Sequence, residues 1–188
     1  LIGVEAADVE DLVITHMHYD HSGNLGLFPK ATFHIQDSEM AYVTGRAMTH
    51  PGLRHSFVLS EVNEMVTAVY GDRVLFHDGD EEIAPGVSVH HMPGHTRGLQ
   101  SVRVHTKRGW VVVASDAAHY YESIEGGSSF MNHEDQFLML EGFRNLRKLV
   151  PSYQHIVPGH DPKVLQRYPA ASPELEGIVA RLDLAPSE

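Results

Sequence analysis

The sequence predicts an α/β domain in which helices cover the faces of β-sheets, and three observations carry that prediction. Short apolar runs of strand length, among them Leu12-Val13-Ile14, Val111-Val112-Val113 and Ile156-Val157, alternate with helical stretches whose apolar residues recur on one face. Turn signals such as Asp78-Gly79-Asp80, Pro85-Gly86, Pro93-Gly94 and Lys107-Arg108-Gly109 separate the strand-like runs of the middle third. The residues best suited to chemistry stand where apolar runs stop, which is where layered α/β folds collect functional side chains.

Taken in order, Leu12-Val13-Ile14 reads as a buried strand that leads into Thr15-His16-Met17-His18-Tyr19-Asp20-His21-Ser22, and Gly23-Asn24 then turns the chain. Residues two apart on an extended segment face the same way, so His16 and His18 can reach one cation. Asp20 and His21 fall in the following loop, aimed at a second point nearby. Residues 32–36 form a short strand, with Asp37 or Ser38 capping a helix to about Arg46. His50-Pro51-Gly52 interrupts, and a second helix runs from near Ser60 to a stop at Gly71. Strands follow at Val74-Leu75-Phe76, Val87-Ser88-Val89, Leu99 to Val104 and Trp110 to Ala114. A helix over 134–150 ends at Pro151, His155-Ile156-Val157 is a last short strand, and Pro173 to Leu182 a terminal helix.

The chain of 188 residues, 42% of them apolar, is expected to form one domain, with residues 37–72 as a helical insertion beside the active site. Met40, Tyr42, Val43, Met48, Leu53, Phe57 and Val58 give that insertion an apolar surface, suited either to walling an acyl-chain pocket or to packing on the sheet. A formal charge of −11, from 14 basic against 25 acidic residues, argues against a nucleic-acid or anionic-membrane partner. With no cysteine there is no disulfide and no thiolate ligand or nucleophile, which accords with a cytoplasmic location. No apolar run approaches membrane-spanning length.

Three further residues end apolar runs: His95 in Pro-Gly-His-Thr, Asp116 in Ala-Ser-Asp-Ala and His160 in Pro-Gly-His-Asp. Fifteen histidines make chance clusters commoner, but neutral imidazoles with carboxylates in this density are what zinc and similar divalent ions take in catalytic sites. His34, His55, His90, His91, His105, His133 and His155 are not expected as ligands. His90 and His91 are adjacent on a strand and must face opposite ways.

In this order, H-x-H-x-D-H, Gly-His-Thr, Ser-Asp-Ala and Pro-Gly-His resemble the metallo-β-lactamase-fold hydrolases. Their separations of 74, 21 and 44 residues, from 21 to 95, 95 to 116 and 116 to 160, are most similar to the N-acyl homoserine lactonase branch. The resemblance implies an αββα sandwich and two divalent ions, zinc foremost. It places one ion on His16, His18 and His95, the other on Asp20, His21 and His160, with Asp116 bridging. It further implies a hydrolase that opens a lactone by attack of a metal-bridging hydroxide, the ions lowering the pKa of water. Relatives in this branch carry a tyrosine shortly after the bridging aspartate. Here His119 stands in that register with Tyr120 and Tyr121 directly after it, so these three and Asp20 are the candidate catalytic residues. Leading strands normally precede the first motif, and with only eleven residues before Leu12 an upstream segment is expected to be missing from this chain.

Two alternatives remain within the resemblance. A glyoxalase II-like thioester hydrolase would add a C-terminal basic helical region, for which the 28 residues after His160 leave little room. A non-catalytic metal-binding domain of the same fold would keep the ligands without turnover. The substrate is expected to be a small ester or lactone; the oligomeric state is not legible.

Overall fold

Phe33 and Ile35 are buried on one side of a strand while His34 and Gln36 are buried on the other, and this alternation sets the first layer. In the computed structural model, which describes residues 2–187, strands β1 (Asp11–Val13), β2 (Thr32–Gln36) and β3 (Val74–His77) form a parallel sheet in that order. Leu12 pairs with Phe33 and Phe33 with Val74. Four helices belong to this half: α1 (Tyr19–Ser22) after β1, then α2 (Asp37–Val43), α3 (Pro51–Arg54) and α4 (Leu59–Tyr70) between β2 and β3. Met40, Tyr42 and Val43 of α2 and Val62, Met65 and Ala68 of α4 pack on Phe33 and Ile35 as one core.

The second sheet runs β4 (Glu81–Ala84), β5 (Val87–His91), β6 (Gln100–Thr106), β7 (Gly109–Ser115) and β8 (Ile156–Pro158). Its first four strands are antiparallel, and β8 joins β7 in parallel. Helices α5 (Tyr121–Gly126) and α6 (Gln136–Lys148) cover one face, where Ile124, Met139, Phe143 and Leu146 meet Val112, Ala114 and Ile156 in a second core. A short helix α7 (Lys163–Arg167) follows β8, with Tyr168 packed on Val111 and Val157.

Between the sheets the chain passes once, through Asp78-Gly79-Asp80. Two buried glutamines hold this seam. Gln36 donates to Gly79 O (2.8 Å) and to Gln100 Oε1 (2.9 Å) and accepts from Gly79 N (2.9 Å), while Gln100 donates to Ile14 O (3.0 Å) and His34 O (2.9 Å). The two amides thereby bond backbone groups on both sides of the seam.

Several expected elements differ. Asp37 lies in the first turn of α2 and caps nothing, because the helix starts directly off β2 with Gln36 at its N-cap. Helix α4 begins at Leu59 with Val58 before it, so Ser60 is inside the helix; the stop at Gly71 stands. The Asp20 and His21 segment is one helical turn, closed by the amides of His21 and Ser22 on His18 O, and not an open loop. The terminal helix over 173–182 does not form: Pro173–Leu175 makes a single 3-10 turn, Gly177 takes φ +71°, and Ala180 bridges back to Ala170. The acidic edge strand β4 and the short helices α5 and α7 are additions to the expected set.

Candidate metal centre

The segment after β1 delivers its side chains by alternation and then by one helical turn. His16, Met17 and His18 are all buried, the two imidazoles on the same side with ring centroids 4.6 Å apart. Met17 N donates to the buried carboxylate of Glu39 (2.9 Å), which also accepts from Thr96 Oγ1 (2.7 Å) and Gly98 N (2.9 Å). One carboxylate from α2 therefore ties the His16–His18 segment to the His95 loop. Burial raises the pKa of Glu39, and its three donors oppose that rise.

His95 is set by glycine geometry on both sides. Gly94 has φ +140°, and a Cβ there would lie 2.4 Å from Met139 N in α6; a Cβ on Gly98 would lie 2.1 Å from Glu39 N. No larger residue allows these approaches. His95 Nδ1 donates to Asn132 O (2.6 Å), which fixes the tautomer and turns Nε2 inward, 2.9 Å from His18 Nδ1.

Asp116 follows Ser115, a non-glycine residue held at φ +49° at the end of β7, whose hydroxyl donates to Thr15 Oγ1 (2.9 Å). Such left-handed backbone in a non-glycine residue is strained, of a kind that clusters at functional sites. His160 arrives behind Gly159, where a Cβ would lie 2.9 Å from Asp116 Oδ1.

These side chains meet around Asp116. Its Oδ1 lies 3.2 Å from His21 Nε2 and 3.1 Å from His160 Nε2; its Oδ2 lies 3.2 Å from His95 Nε2 and 3.9 Å from His16 Nε2. Asp20 Oδ2 lies 3.5 Å from His21 Nε2 and 3.7 Å from His160 Nε2. Ligand atoms of His16, His18 and His95 are mutually within 4.8 Å, as are those of Asp20, His21 and His160, and those of His16, His21 and Asp116.

The donor set passes a direct test for a cation. Among the described residues, His16 Nε2, His21 Nε2 and Asp116 Oδ1 are buried without a hydrogen-bond partner. Orphaned buried polar atoms are costly, and three converging ones fit a site whose partner is a metal ion. Burial pushes His16 well below its ordinary pKa, and burial with the neighbouring His95 takes His18 down to about 3. Both rings are therefore neutral at pH 7, the ligating form. Burial alone would raise Asp116, but the hydrogen bond from His119 and then the close His21 and His95 rings, each 3.2 Å away, hold it far below the usual carboxylate range.

The three residues beyond Asp116 separate. His119 Nε2 reaches Asp116 Oδ2 at 2.9 Å. Tyr120 is exposed at the start of α5, its ring 6.2 Å from that of His119. Tyr121 is buried under Arg167 (4.4 Å), its hydroxyl without a partner, and burial beside Tyr168 raises its pKa. Among the other histidines, His90 bonds Asp80 and Ser88 while His91 bonds Ser38 and the Arg97 carbonyl, on opposite sides of β5. A cavity of about 240 Å³ opens beside His18 and His95, with Tyr42, Leu53, His55 and Glu134 in its wall. Glu39, and Phe130, which stacks on the His119 ring at 3.6 Å, were not singled out by sequence, since a glutamate in an amphipathic helix and a phenylalanine in a Gly-Ser segment carry no local mark.

Residues 1–160 match the family model described as the metallo-beta-lactamase superfamily. The chain is 29% identical over 162 residues to an N-acyl homoserine lactonase from a Bacillus species, covering 85% of this chain and 59% of that protein. It is 30% identical over 176 residues to an N-acyl homoserine lactonase from Azorhizobium caulinodans, covering 86% and 61%. A solved structure of an N-acyl homoserine lactone hydrolase with the product N-hexanoyl-L-homoserine at its catalytic metal center superposes with TM-score 0.70 at 26% identity, over 85% of this chain and 59% of that one. The chain thus spans about 59% of the length of the first of these relatives. Among the described residues no helix is long and apolar enough to cross a membrane.

Proposed function

Since the chain belongs to the metallo-beta-lactamase superfamily, we propose that it is the metal-binding part of a metal-dependent hydrolase that opens a small lactone of the N-acyl homoserine type. The observation that carries the reading is the set of buried, unpartnered donor atoms on His16, His21 and Asp116 inside a cluster of five imidazoles and two carboxylates. In this reading His16, His18 and His95 would hold one divalent ion and Asp20, His21 and His160 a second, with Asp116 serving as a ligand to both. Zinc is the first choice for such nitrogen and carboxylate donors. Bound there, the ions would supply Lewis acidity and lower the pKa of water toward neutrality.

The chain's own residues prepare the site for that chemistry. Asn132 O and the Glu39 strap hold His95 and the His16–His18 segment in place before any ligand arrives. Tyr42 and Leu53 in the cavity wall support a role for residues 37–72 in flanking the substrate. Of its components, burial and then the nearby Glu134 push the Tyr42 hydroxyl up to about 12, so it stays protonated and can donate to a substrate oxygen. The similarity to N-acyl homoserine lactonases, one of them solved with the product N-hexanoyl-L-homoserine, supports a lactone over a thioester.

The test is turnover against a panel of N-acyl homoserine lactones, simple lactones and glutathione thioesters, before and after chelation and on adding back Zn²⁺. Lactone opening that chelator removes and Zn²⁺ restores is expected. Preference for thioesters moves the assignment to the glyoxalase II-like class, and absence of any hydrolysis with two ions bound indicates a binding domain. Asp116→Ala is expected to lower turnover at least about 100-fold and to reduce the bound metal, because the shared carboxylate is lost.

A further inference from the structure

We infer that His119 is a sixth imidazole of the metal centre, ligating through Nε2 the ion on the His16, His18 and His95 side; this rests on the two-ion reading above. Its Nε2 lies 2.9 Å from Asp116 Oδ2, which itself lies 3.2 Å from His95 Nε2. Ligand atoms of His95, Asp116 and His119 are mutually within 4.8 Å, the same relation that joins the other ligand groups. Donors at about 2.0–2.1 Å from one five-coordinate ion stand about 3–4 Å apart, so these separations suit a common cation.

The ring is held in that position from three directions. Turns from Ala117 N to Ala114 O and from Ala118 N to Ser115 O fold the chain back over Asp116. The His119 carbonyl accepts from His160 N (3.0 Å), which locks the backbone against the Pro158-Gly159-His160 segment. Phe130 stacks on the imidazole at 3.6 Å with an interplanar angle of 14°. The ring centroid is 4.6 Å from that of His160 and 5.3 Å from that of His95. A freely rotating helper would not need such fixing, whereas a ligand benefits from it.

The consequence is an asymmetric pair of sites. The ion on this side would be five-coordinate, with His119 joining His16, His18, His95 and Asp116; the other would have Asp20, His21, His160 and Asp116, of which Asp20 and His160 are open to solvent. The first ion is bound more tightly and loads first.

The test uses the chain stripped with chelator and titrated with Co²⁺, reading the paramagnetically shifted, exchangeable imidazole N–H resonances by proton NMR in water. The expected spectrum has one such resonance for each of His16, His18, His21, His95 and His160 and a sixth from His119. His119→Phe keeps an aromatic ring on Phe130 without the nitrogen, and His119→Gln keeps a hydrogen-bond donor. Both are expected to lose the sixth resonance and to weaken the first Co²⁺ about tenfold or more. Five resonances in the unsubstituted chain, unchanged in both variants, would mean that His119 only hydrogen-bonds Asp116; this overturns the proposal and leaves the two-ion reading standing. No shifted resonance at saturating Co²⁺ removes the two-ion reading and this proposal with it.

Discussion

Glu39 shows how much of the centre depends on a residue that binds no ion. It is fully buried and accepts from Met17 N, Thr96 Oγ1 and Gly98 N, so it organises two ligand-bearing segments that sequence places far apart. Glutamine in its place presents an amide N–H₂ to at least one of these donors, and Glu39→Gln is expected to cost about 1–3 kcal/mol in denaturant unfolding. The pH dependence has a definite sign. Burial raises the folded-state pKa above the ordinary 4.5, so the folded chain holds this proton where the unfolded chain releases it. The stabilisation is full below pH 4.5 and is lost as pH rises through the folded value. Melting curves of the metal-free chain should therefore fall more steeply from pH 4.5 upward than those of Glu39→Gln; parallel curves would contradict the raised pKa. At this scale the ligand types were legible, because H-x-H-x-D-H and the three strand-end residues differ from ordinary sequence. Glu39 was not, since its role exists only once α2 meets the His95 loop.

At the scale of elements, α6 is the clearest case of a helix that serves the centre from outside it. Asp135 caps it by accepting from Leu138 N (3.0 Å), and the amides of Glu134 and Asp135 both bond Gly94 O (2.8 and 2.9 Å). The His95 loop and the first turn of α6 are thus one unit, closed by the absence of a side chain on Gly94. Gly94→Ala would put a methyl 2.4 Å from Met139 N in a backbone conformation that alanine avoids. It should cost about 1–3 kcal/mol and weaken Zn²⁺ binding, measured by thermal denaturation and competition with a chromophoric chelator. Strands β2, β5, β6 and β7 were readable from apolar runs and turn signals. Strand β4 was not, because Glu81-Glu82-Ile83-Ala84 is an exposed acidic edge whose pairing to β5 comes from tertiary contact. The expected terminal helix failed on Gly177, whose positive φ lets the chain turn back toward Ala170.

Over the whole molecule, the two cores lie apart and the centre sits between the halves that contain them. His16, His18, Asp20 and His21 come from the half with the parallel sheet; His95, Asp116 and His160 come from the half with the mixed sheet. Any ion held by both groups binds the folded chain and not the unfolded one, so it adds stability by mass action, about 2.7 kcal/mol at a concentration one hundred times its dissociation constant. Chelation should lower the melting temperature, and titrated Zn²⁺ should restore it in a concentration-dependent way. An unchanged melting temperature would separate the ligands from folding. The α/β class and the convergence of distant motifs could be read from sequence. The partition into two sheets, and the glutamine pair that joins them, could not, since strand pairing partners are set by packing.

The single passage of the chain through Asp78-Gly79-Asp80 gives this arrangement a practical use. If that linker is severed, four ligand residues remain on one piece and four, His119 included, on the other, and contacts such as those of Gln36 with Gln100, Glu39 with Gly98, Thr15 with Ser115 and Ser38 with His91 are left to hold the pieces in register. Reassembly of the two fragments should then depend on dissolved zinc, making the cut protein a reporter whose complementation rises with the ion and collapses when it is sequestered.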